Sequence, residues 1–440
     1  MPELGPCWER IMVSLKSRGL RTLCTSVLSC LFLFVCTSVY SQETTSQPTA
    51  FDPVRAQFSD LMMAAENSRT EGDFQKALEL SIRAYSVANK RGYKKGALDS
   101  LIQQGFLYWN LGQMKESEEA FSRALTTAEK LNLPNEKKIS SASIEIYNLY
   151  VQAKEQRDAA DYQGSIESFG KAIELAHEIQ SKEHELKCLR QLSINYWEQK
   201  NFQEFFILNK RGLDIARDIK HKKEEGSSLN NIGLFYWQID NYSDALKYYE
   251  QALNIAQEIN NLEEQNNCLT NIALIYIDIG DYERALEYSL TALELDRKLN
   301  NWLSISKDLN NIGIIFTKKG KISEDRYDFQ SALKYYNESL EIVTKIRNLD
   351  TEVKVLEVKV LNNIGSTHHR LDENAKSLDY LDRALKKAEA AQDTEEMSII
   401  LNNIGIVYSQ MGNYEESTRS YQRVIDVASK IEGNKVLWEA

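Results

Sequence analysis

A chain of 440 residues with a formal net charge of −11 is too acidic to use nucleic acid or an anionic membrane surface as its main partner, because both require a basic footprint on the protein. Only five prolines occur. Long stretches rich in Ala, Leu, Glu, Lys and Gln with almost no breakers predict helix throughout, which excludes folds built on β-sheets.

The N-terminal segment differs from the rest of the chain. Residues 1–41 carry a net charge of +2, whereas the remainder carries −13. Lys16, Arg18 and Arg21 precede a charge-free stretch from Thr22 to Gln42. A positive flank followed by a short apolar core is typical of a secretory signal peptide. We therefore expect residues 1–41 to be a signal peptide and the protein to be exported, to a periplasm or to the extracellular space.

Small residues mark a cleavage site in this segment. Val39 and Ser41 fit the −3 and −1 positions for cleavage before Gln42. An uncleaved helix that anchors the chain is the alternative, and this segment is then the only contact with a membrane. Met12 is an alternative start of translation. Residues 42–57 are expected to form a disordered tether.

The body of the chain repeats itself. The phrase Leu-Asn-Asn-Ile-Gly and its variant Leu-Thr-Asn-Ile-Ala return in steps of 40, 40, 52 and 40 residues, beginning at Leu229, Leu269, Leu309, Leu361 and Leu401. Self-similarity at such a period is the signature of a solenoid. Each unit predicts two helices, because apolar residues recur at helical spacing on both sides of a turn near Asp240 and Asn241.

The residues of this unit resemble a known family. Gly233, Tyr236, Tyr242, Ala245, Tyr249 and Ala252 stand in the phases that define a tetratricopeptide repeat. The resemblance covers about residues 58–434 and implies an all-α fold, a right-handed α-solenoid of about nine helix-turn-helix repeats. The 40-residue unit is longer than the usual length of about 34 residues, as in the kinesin-light-chain-like type.

The repeats divide the body into parts. Residues 58–185 hold degenerate N-terminal repeats, and residues 186–434 hold regular ones. The seventh repeat carries 12 extra residues, and insertions in solenoids often lie on the binding face. Residues 435–440 read as the start of an incomplete further repeat, so the C-terminal end is expected to be uncapped and open to self-association.

The sequence contains no pattern typical of catalysis. A Gly-rich phosphate loop, a nucleophile elbow and a Cys-x-x-Cys pair are all absent from it. His177 and His184 have no further ligand in range, so a chance solvated pair is favoured over a metal site. Cys188 and Cys268 are expected to be buried and unbridged. We therefore predict a protein that is not an enzyme, with no catalytic, metal or cofactor site.

Helical geometry places other residues on the concave face of the first helices. The predicted peptide-groove residues are Asn230, Asn231, Trp237, Asn271, Asn310, Asn311, Asn362, Asn363, His369, Asn402 and Asn403. An amide both donates and accepts hydrogen bonds, so it can grip an extended peptide backbone. In related repeats such asparagines hold peptides, which the resemblance implies here. The same recurrence would also arise if the amides only bonded neighbouring repeats together.

Two functions follow from these observations. The first is a scaffold that binds a protein or peptide ligand in its concave groove. The second is the extracytoplasmic sensory portion of a truncated or split transmembrane signalling protein of the histidine kinase type, an alternative that comes from the family resemblance. No second hydrophobic span occurs before Ala440 to support it.

Overall fold

The structure is a computed structural model that describes residues 53–346 and 351–439. Throughout these ranges the ordered elements are helices, without any strand. The expected signal peptide, the alternative anchor, the alternative start and most of the expected tether lie on residues 1–52, outside the described residues. None of the helices described is both long enough and apolar enough to span a membrane.

Eighteen helices form nine consecutive pairs in the described part of the chain. They are α1 Pro53–Thr70, α2 Phe74–Lys90, α3 Lys94–Asn110, α4 Met114–Lys130, α5 Pro134–Asp158, α6 Tyr162–Glu178, α7 Lys182–Glu198, α8 Phe202–Asp218, α9 Lys222–Gln238, α10 Tyr242–Glu258, α11 Leu262–Ile279, α12 Tyr282–Leu299, α13 Trp302–Ser323, α14 Arg326–Val343, α15 Thr351–Arg370, α16 Asn374–Ala391, α17 Thr394–Gln410 and α18 Tyr414–Glu439. Each helix packs mainly on the helices next to it in sequence, as expected for an α-solenoid.

Short turns separate the helices, and their residues explain where each helix stops and starts. Gly280 ends α11 with φ at +82°, a left-handed conformation that glycine adopts without strain. Asp281 follows as the N-cap of α12, and its side chain accepts a hydrogen bond from the backbone N–H of Arg284 at 3.1 Å. Asn241 caps α10 in the same way. These contacts confirm the turns that the sequence predicts.

Small residues allow the two helices of a pair to approach closely. A Cβ atom added at Gly233 of α9 would lie only 2.8 Å from the ring of Tyr249 on α10, and Tyr249 is fully buried. Gly313 and Tyr336 repeat this contact between α13 and α14. Gly405 of α17 likewise faces Tyr421 of α18, so three of the regular repeats pack a glycine of the first helix against a tyrosine of the second, whereas Gly365 of α15 faces Leu381 of α16.

The first repeats touch the fourth repeat. The guanidinium of Arg69 pairs with Glu183 at 2.9 Å, and the ring centroids of Phe74 and His221 are 4.6 Å apart. The indole Nε1 of Trp109 donates to the backbone carbonyl of Glu183 at 3.2 Å. These contacts join segments more than 70 residues apart in sequence. They form a seam that the local repeat pattern does not predict.

Two expected boundaries differ from the structure. Helix α1 begins at Pro53, inside the segment 42–57 expected to be a tether, because proline suits the first turn of a helix. Helix α18 continues to Glu439, so residues 435–439 belong to a long second helix instead of a tenth first helix. Cys188 and Cys268 are buried and free, as predicted.

Candidate functional site

Amide side chains link the first helices of successive repeats. In each of three bonds, the Nδ2 atom of an asparagine donates to Oδ1 of an asparagine in the preceding repeat: Asn271 to Asn230 at 3.0 Å, Asn363 to Asn310 at 3.0 Å, and Asn403 to Asn362 at 2.8 Å. A fourth bond runs from Asn231 on α9 to Asn209 on α8 at 2.9 Å. We call these eight residues the asparagine ladder.

The bonds of the asparagine ladder use only part of the hydrogen-bonding capacity of each amide. A carboxamide carries two N–H donors and two acceptor lone pairs, and each ladder bond uses one of either kind. Donors and acceptors therefore remain for a ligand. Asn311 is outside the ladder, because Thr270 stands where the preceding repeat would supply its asparagine.

Two pockets open on the surface of the first helices, and eight of the eleven predicted groove residues line them. Asn230, Asn231, Asn271 and Asn311 line one pocket. Asn362, Asn363, His369 and Asn403 line the other. Trp237, Asn310 and Asn402 line neither pocket; the indole Nε1 of Trp237 instead donates to Asp278 at 2.9 Å, and Asn402 is exposed.

The first pocket, which we call the central pocket, lies between α7, α9, α11 and α13 and has a volume of about 470 Å³. Its lining contains charges of both signs, from Arg190, Glu264, Lys307 and Asp308. Burial, followed by repulsion from the neighbouring carboxylate of Asp296, raises the pKa of Asp308 to about 8. A carboxyl group at this pocket therefore holds a proton at neutral pH.

The second pocket, which we call the cationic pocket, has a volume of about 370 Å³ and lies between α13, α15 and α17. Lys318, Lys321 and Arg370 line it without any Asp or Glu in the lining. Among the described residues these three cations form no ion pair, whereas the neighbouring Lys319 pairs with Glu283 at 3.5 Å. Desolvation, reinforced by repulsion from Arg370 and Lys318, lowers the pKa of Lys321.

An irregular helix builds the cationic pocket. Helix α13 has 22 residues, whereas α9 has 17 and α11 has 18. Lys321 follows Gly313, the glycine that faces the second helix, at the same distance in sequence as Asn241 follows Gly233 and Asn413 follows Gly405. Asn241 is the N-cap of α10, and Asn413 directly precedes α18. Because α13 is longer, Lys321 lies within a helix, whereas the corresponding residues Asn241 and Asn413 lie in turns. The extension of α13 brings Lys321 beside Arg370 of the next first helix.

Two aromatic residues lie elsewhere than the sequence predicts. Trp109 stands in the same repeat phase as Trp237, a predicted groove residue, but it is only 1% exposed. It packs on His184 with ring centroids 4.4 Å apart. His184 is fully buried and hydrogen-bonded through Nδ1 to the hydroxyl of Ser181 at 2.9 Å, so the expectation of a solvated His177–His184 pair is wrong for His184. Burial, with a smaller contribution from Lys187, lowers the pKa of His184 to about 3.

Sequence reasoning missed the charged residues of both pockets. The 12 extra residues of the seventh repeat pointed to the binding face but not to which side chains would line it. Asp308 carried its own signal, because Ser228, Cys268, Val360 and Ile400 occupy its phase in other repeats and all are buried. A carboxylate in a buried phase is a sign of a site.

Family models for the tetratricopeptide repeat match residues 224–298, 264–345 and 356–430, and a second such model matches residues 98–131. Together these segments span more than half of the chain. The chain belongs to the tetratricopeptide repeat family. The tetratricopeptide repeat family is a family of scaffolds that are typically not catalytic.

Several solved structures share this fold. The apo quorum sensor NprR from Bacillus thuringiensis has 17% identity and a TM-score of 0.56, with 86% of this chain and 99% of that chain covered. Aspartyl phosphate phosphatase F from Bacillus subtilis has 14% identity and a TM-score of 0.53, with 88% and 96% covered. A signal transduction ATPase with a tetratricopeptide repeat sensor from Pyrococcus horikoshii has 15% identity and a TM-score of 0.52, with 84% and 54% covered. No curated protein sequence matches the chain.

Proposed function

We propose that this protein is a non-enzymatic scaffold that holds a peptide segment along its first helices, with an acidic group of that peptide seated in the cationic pocket. The observation that carries the proposal is the convergence of Lys318, Lys321 and Arg370 without a counter-charge, in a chain whose net charge is −11. Like charges held together raise the free energy of the unoccupied site, and an anion relieves that repulsion.

The chemistry of the cationic pocket suits a carboxylate on a peptide. The planar guanidinium of Arg370 can bind a carboxylate through two parallel hydrogen bonds, and the lysines add positive charge beside it. Ile314 and Ile406 supply apolar lining, and the amides of Asn363 and Asn403 retain hydrogen-bonding capacity for a backbone. Apolar walls with a few convergent polar groups are typical of ligand pockets.

Binding to an immobilised array of random octapeptides tests the proposal. We expect the full chain to retain peptides that contain Asp or Glu, with retention falling as the salt concentration rises, because salt screens exposed charges. A triple variant with Lys318→Gln, Lys321→Gln and Arg370→Gln should lose at least about tenfold in affinity for those peptides, since charge-assisted hydrogen bonds each contribute about 1.5–3 kcal/mol.

A second triple variant controls for the change in net charge. It replaces three exposed lysines that lie on second helices and form no ion pair among the described residues, namely Lys171, Lys247 and Lys298. This control should bind acidic peptides as the unmodified chain does. Equal losses in both triple variants would show that only the overall charge matters, and no retention of any peptide would contradict the proposed function.

We also propose that the protein is exported, on the evidence of the charge-free stretch that follows Arg21. Fractionation of source cells, followed by an immunoblot with an antibody against the repeats, tests this. A band slightly below 50.5 kDa outside the cytoplasm supports cleavage of the signal peptide. A band confined to the cytoplasm contradicts export.

A further inference from the structure

Two carboxyl groups stand in core positions at the junction of the sixth and seventh repeats. Asp296 of α12 is 1% exposed and Asp308 of α13 is 3% exposed. In the other repeats, the phase of Asp296 is filled by small or apolar residues such as Ala256, Val343 and Ala388, which are buried too. Repeat packing alone therefore does not explain the presence of two acids here.

The two carboxyl groups lie close enough for each to shift the pKa of the other. Two carboxylates in such proximity disfavour each other's ionisation, so one of them keeps a proton at a pH where an isolated carboxyl group has lost it. Asn266 of α11 donates from Nδ2 to Oδ2 of Asp296 at 3.0 Å. Burial raises the pKa of both acids, and the charge of Asp296 adds repulsion at Asp308. At neutral pH Asp308 thus holds a proton.

Two buried oxygen atoms beside this pair have no hydrogen-bond donor. They are Oδ2 of Asp308 and Oδ1 of Asn266, and both residues line the central pocket. Unpaired buried acceptors are rare in folded proteins, because each one loses its hydration without compensation. The pocket volume of about 470 Å³ is within the roughly 300–1,000 Å³ that ligand pockets occupy. The central pocket therefore offers acceptors to an incoming donor.

The cations around the pair already have carboxylate partners of their own. Lys307 pairs with Glu352 of α15, and Nε of Arg190 on α7 is 3.5 Å from Glu224 of α9. Two further acids of α11, Glu263 and Glu264, lie near the pair. Burial raises the pKa of Glu264 as well, by more than the positive charge of Lys223 on α9 lowers it. The acids are therefore in excess over the cations that are free to neutralise them.

We propose that the central pocket receives the guanidinium of an arginine from the bound peptide, in exchange for the proton that Asp308 holds beside Asp296. The proposal rests on the proposed function, since it concerns the same peptide-binding surface. Five N–H donors in a plane match several separate acceptor oxygens better than the compact ammonium of lysine does. On binding, the proton leaves to solvent, the pair gains one negative charge, and the guanidinium balances that charge.

Calorimetry with small probes tests the inference on the full chain. N-acetyl-arginine amide is the probe, and N-acetyl-citrulline amide is its neutral isostere. We expect the arginine probe to bind more tightly as the pH rises, by about tenfold per pH unit from pH 6 until the pair is ionised, with release of about one proton. The citrulline probe should bind weakly and without dependence on pH.

Variants locate the effect at the pair. Asp308→Asn should bind the arginine probe at least tenfold more weakly at pH 9 and should remove the dependence on pH. Glu294→Gln is the matched control, because Glu294 is exposed on the same helix as Asp296 and has no partner among the described residues. It should bind as the unmodified chain does. Titration of the unmodified chain in two buffers of different ionisation enthalpy counts the released protons without any variant.

Equal binding of the two probes, or binding of the arginine probe without proton release, would overturn the inference and leave water as the occupant of the pocket. The result is separable from the proposed function. The Lys318, Lys321 and Arg370 triple variant should still bind the arginine probe. Retention of acidic peptides on the array, together with no binding of the arginine probe, would retain the function and reject the inference.

Discussion

The central pocket and the cationic pocket are both lined by asparagines but differ in charge: the lining of the first contains charges of both signs, and the charged residues in the lining of the second are all cationic. Asparagines in the same two repeat phases line both pockets. The charges come from residues that break the repeat: buried acids in core phases at the central pocket, and cations on an extended helix at the cationic pocket. The regular positions thus supply similar amides along the whole surface, and the irregular positions decide which group each part attracts.

The largest expected effect concerns Tyr249 and Tyr336, the two buried tyrosines that face a glycine of the first helix. Tyr249→Ala and Tyr336→Ala should each lower the free energy of unfolding by about 3–5 kcal/mol, because each leaves a cavity against a glycine. Urea denaturation followed by circular dichroism measures this. A loss below about 1 kcal/mol for either would show that its repeat does not depend on this contact.

Replacement by phenylalanine distinguishes the two tyrosines, because only one of their hydroxyl groups has a hydrogen-bond partner. The hydroxyl of Tyr336 bonds Thr317 at 3.1 Å, whereas that of Tyr249 is buried without a partner. Tyr336→Phe should therefore lower the free energy of unfolding by about 1 kcal/mol, and Tyr249→Phe should leave it unchanged or raise it.

The next effect is a dependence on pH that belongs to the central pocket. Because the folded-state pKa of Asp308, about 8, is above the ordinary value of 3.8 for an aspartate, the folded state holds an extra proton between these values. The free energy of unfolding should fall by up to about 2 kcal/mol from pH 6.5 to pH 8, at no more than about 1.4 kcal/mol per pH unit. Urea denaturation at intermediate pH values measures the slope, and Asp308→Asn should remove it.

The range from pH 6.5 to pH 8 separates the effect of Asp308 on stability from the effects of His184, His221 and Lys187. Burial lowers the pKa of His184 to about 3 and that of His221 to about 4, so their stabilising contribution is complete once the pH exceeds about 6.5. Burial lowers the pKa of Lys187 to about 8, which increases stability only above that pH. A slope unchanged in Asp308→Asn would assign the effect to another group.

A smaller effect distinguishes the asparagines of the ladder from Asn311, which lies outside it. Asn403→Ala removes the donor to Asn362 and should lower the free energy of unfolding by about 1 kcal/mol. Asn311→Ala removes no ladder bond and should change it by less than about 0.5 kcal/mol. Thermal melting compares the two variants. Peptide retention that falls in Asn311→Ala at an unchanged melting temperature would assign its amide to the ligand.

The smallest effect concerns repulsion in the cationic pocket. Lys321→Gln should raise the free energy of unfolding by a few tenths of a kcal/mol at low salt, because it removes a like charge from Lys318 and Arg370. The gain should vanish in 1 M salt, where charges are screened within about 3 Å. Chemical denaturation at both salt concentrations measures it, and a loss of stability at low salt would show that an unseen partner holds Lys321.

Much of the fold followed from local pattern. The 40-residue period and the apolar residues at helical spacing predicted the helix pairs and their turns, since both depend on residues close in sequence. The expected first repeat began too late, because the first helix starts at Pro53, where proline suits the first turn of a helix. The seam of Trp109 and His184 was missed, because it joins helices that are distant in sequence.

By itself the sequence determined an all-α solenoid of nine helix pairs, and it determined that recurrent asparagines occupy one face of the first helices. Periodicity suffices for this, because each repeat contacts mainly its neighbours and the same contact recurs. Only the tertiary structure decided that those asparagines bond between repeats. It also decided that Lys321 meets Arg370 and that Asp308 meets Asp296. Such pairs come from different repeats, so their distance depends on how successive helix pairs stack.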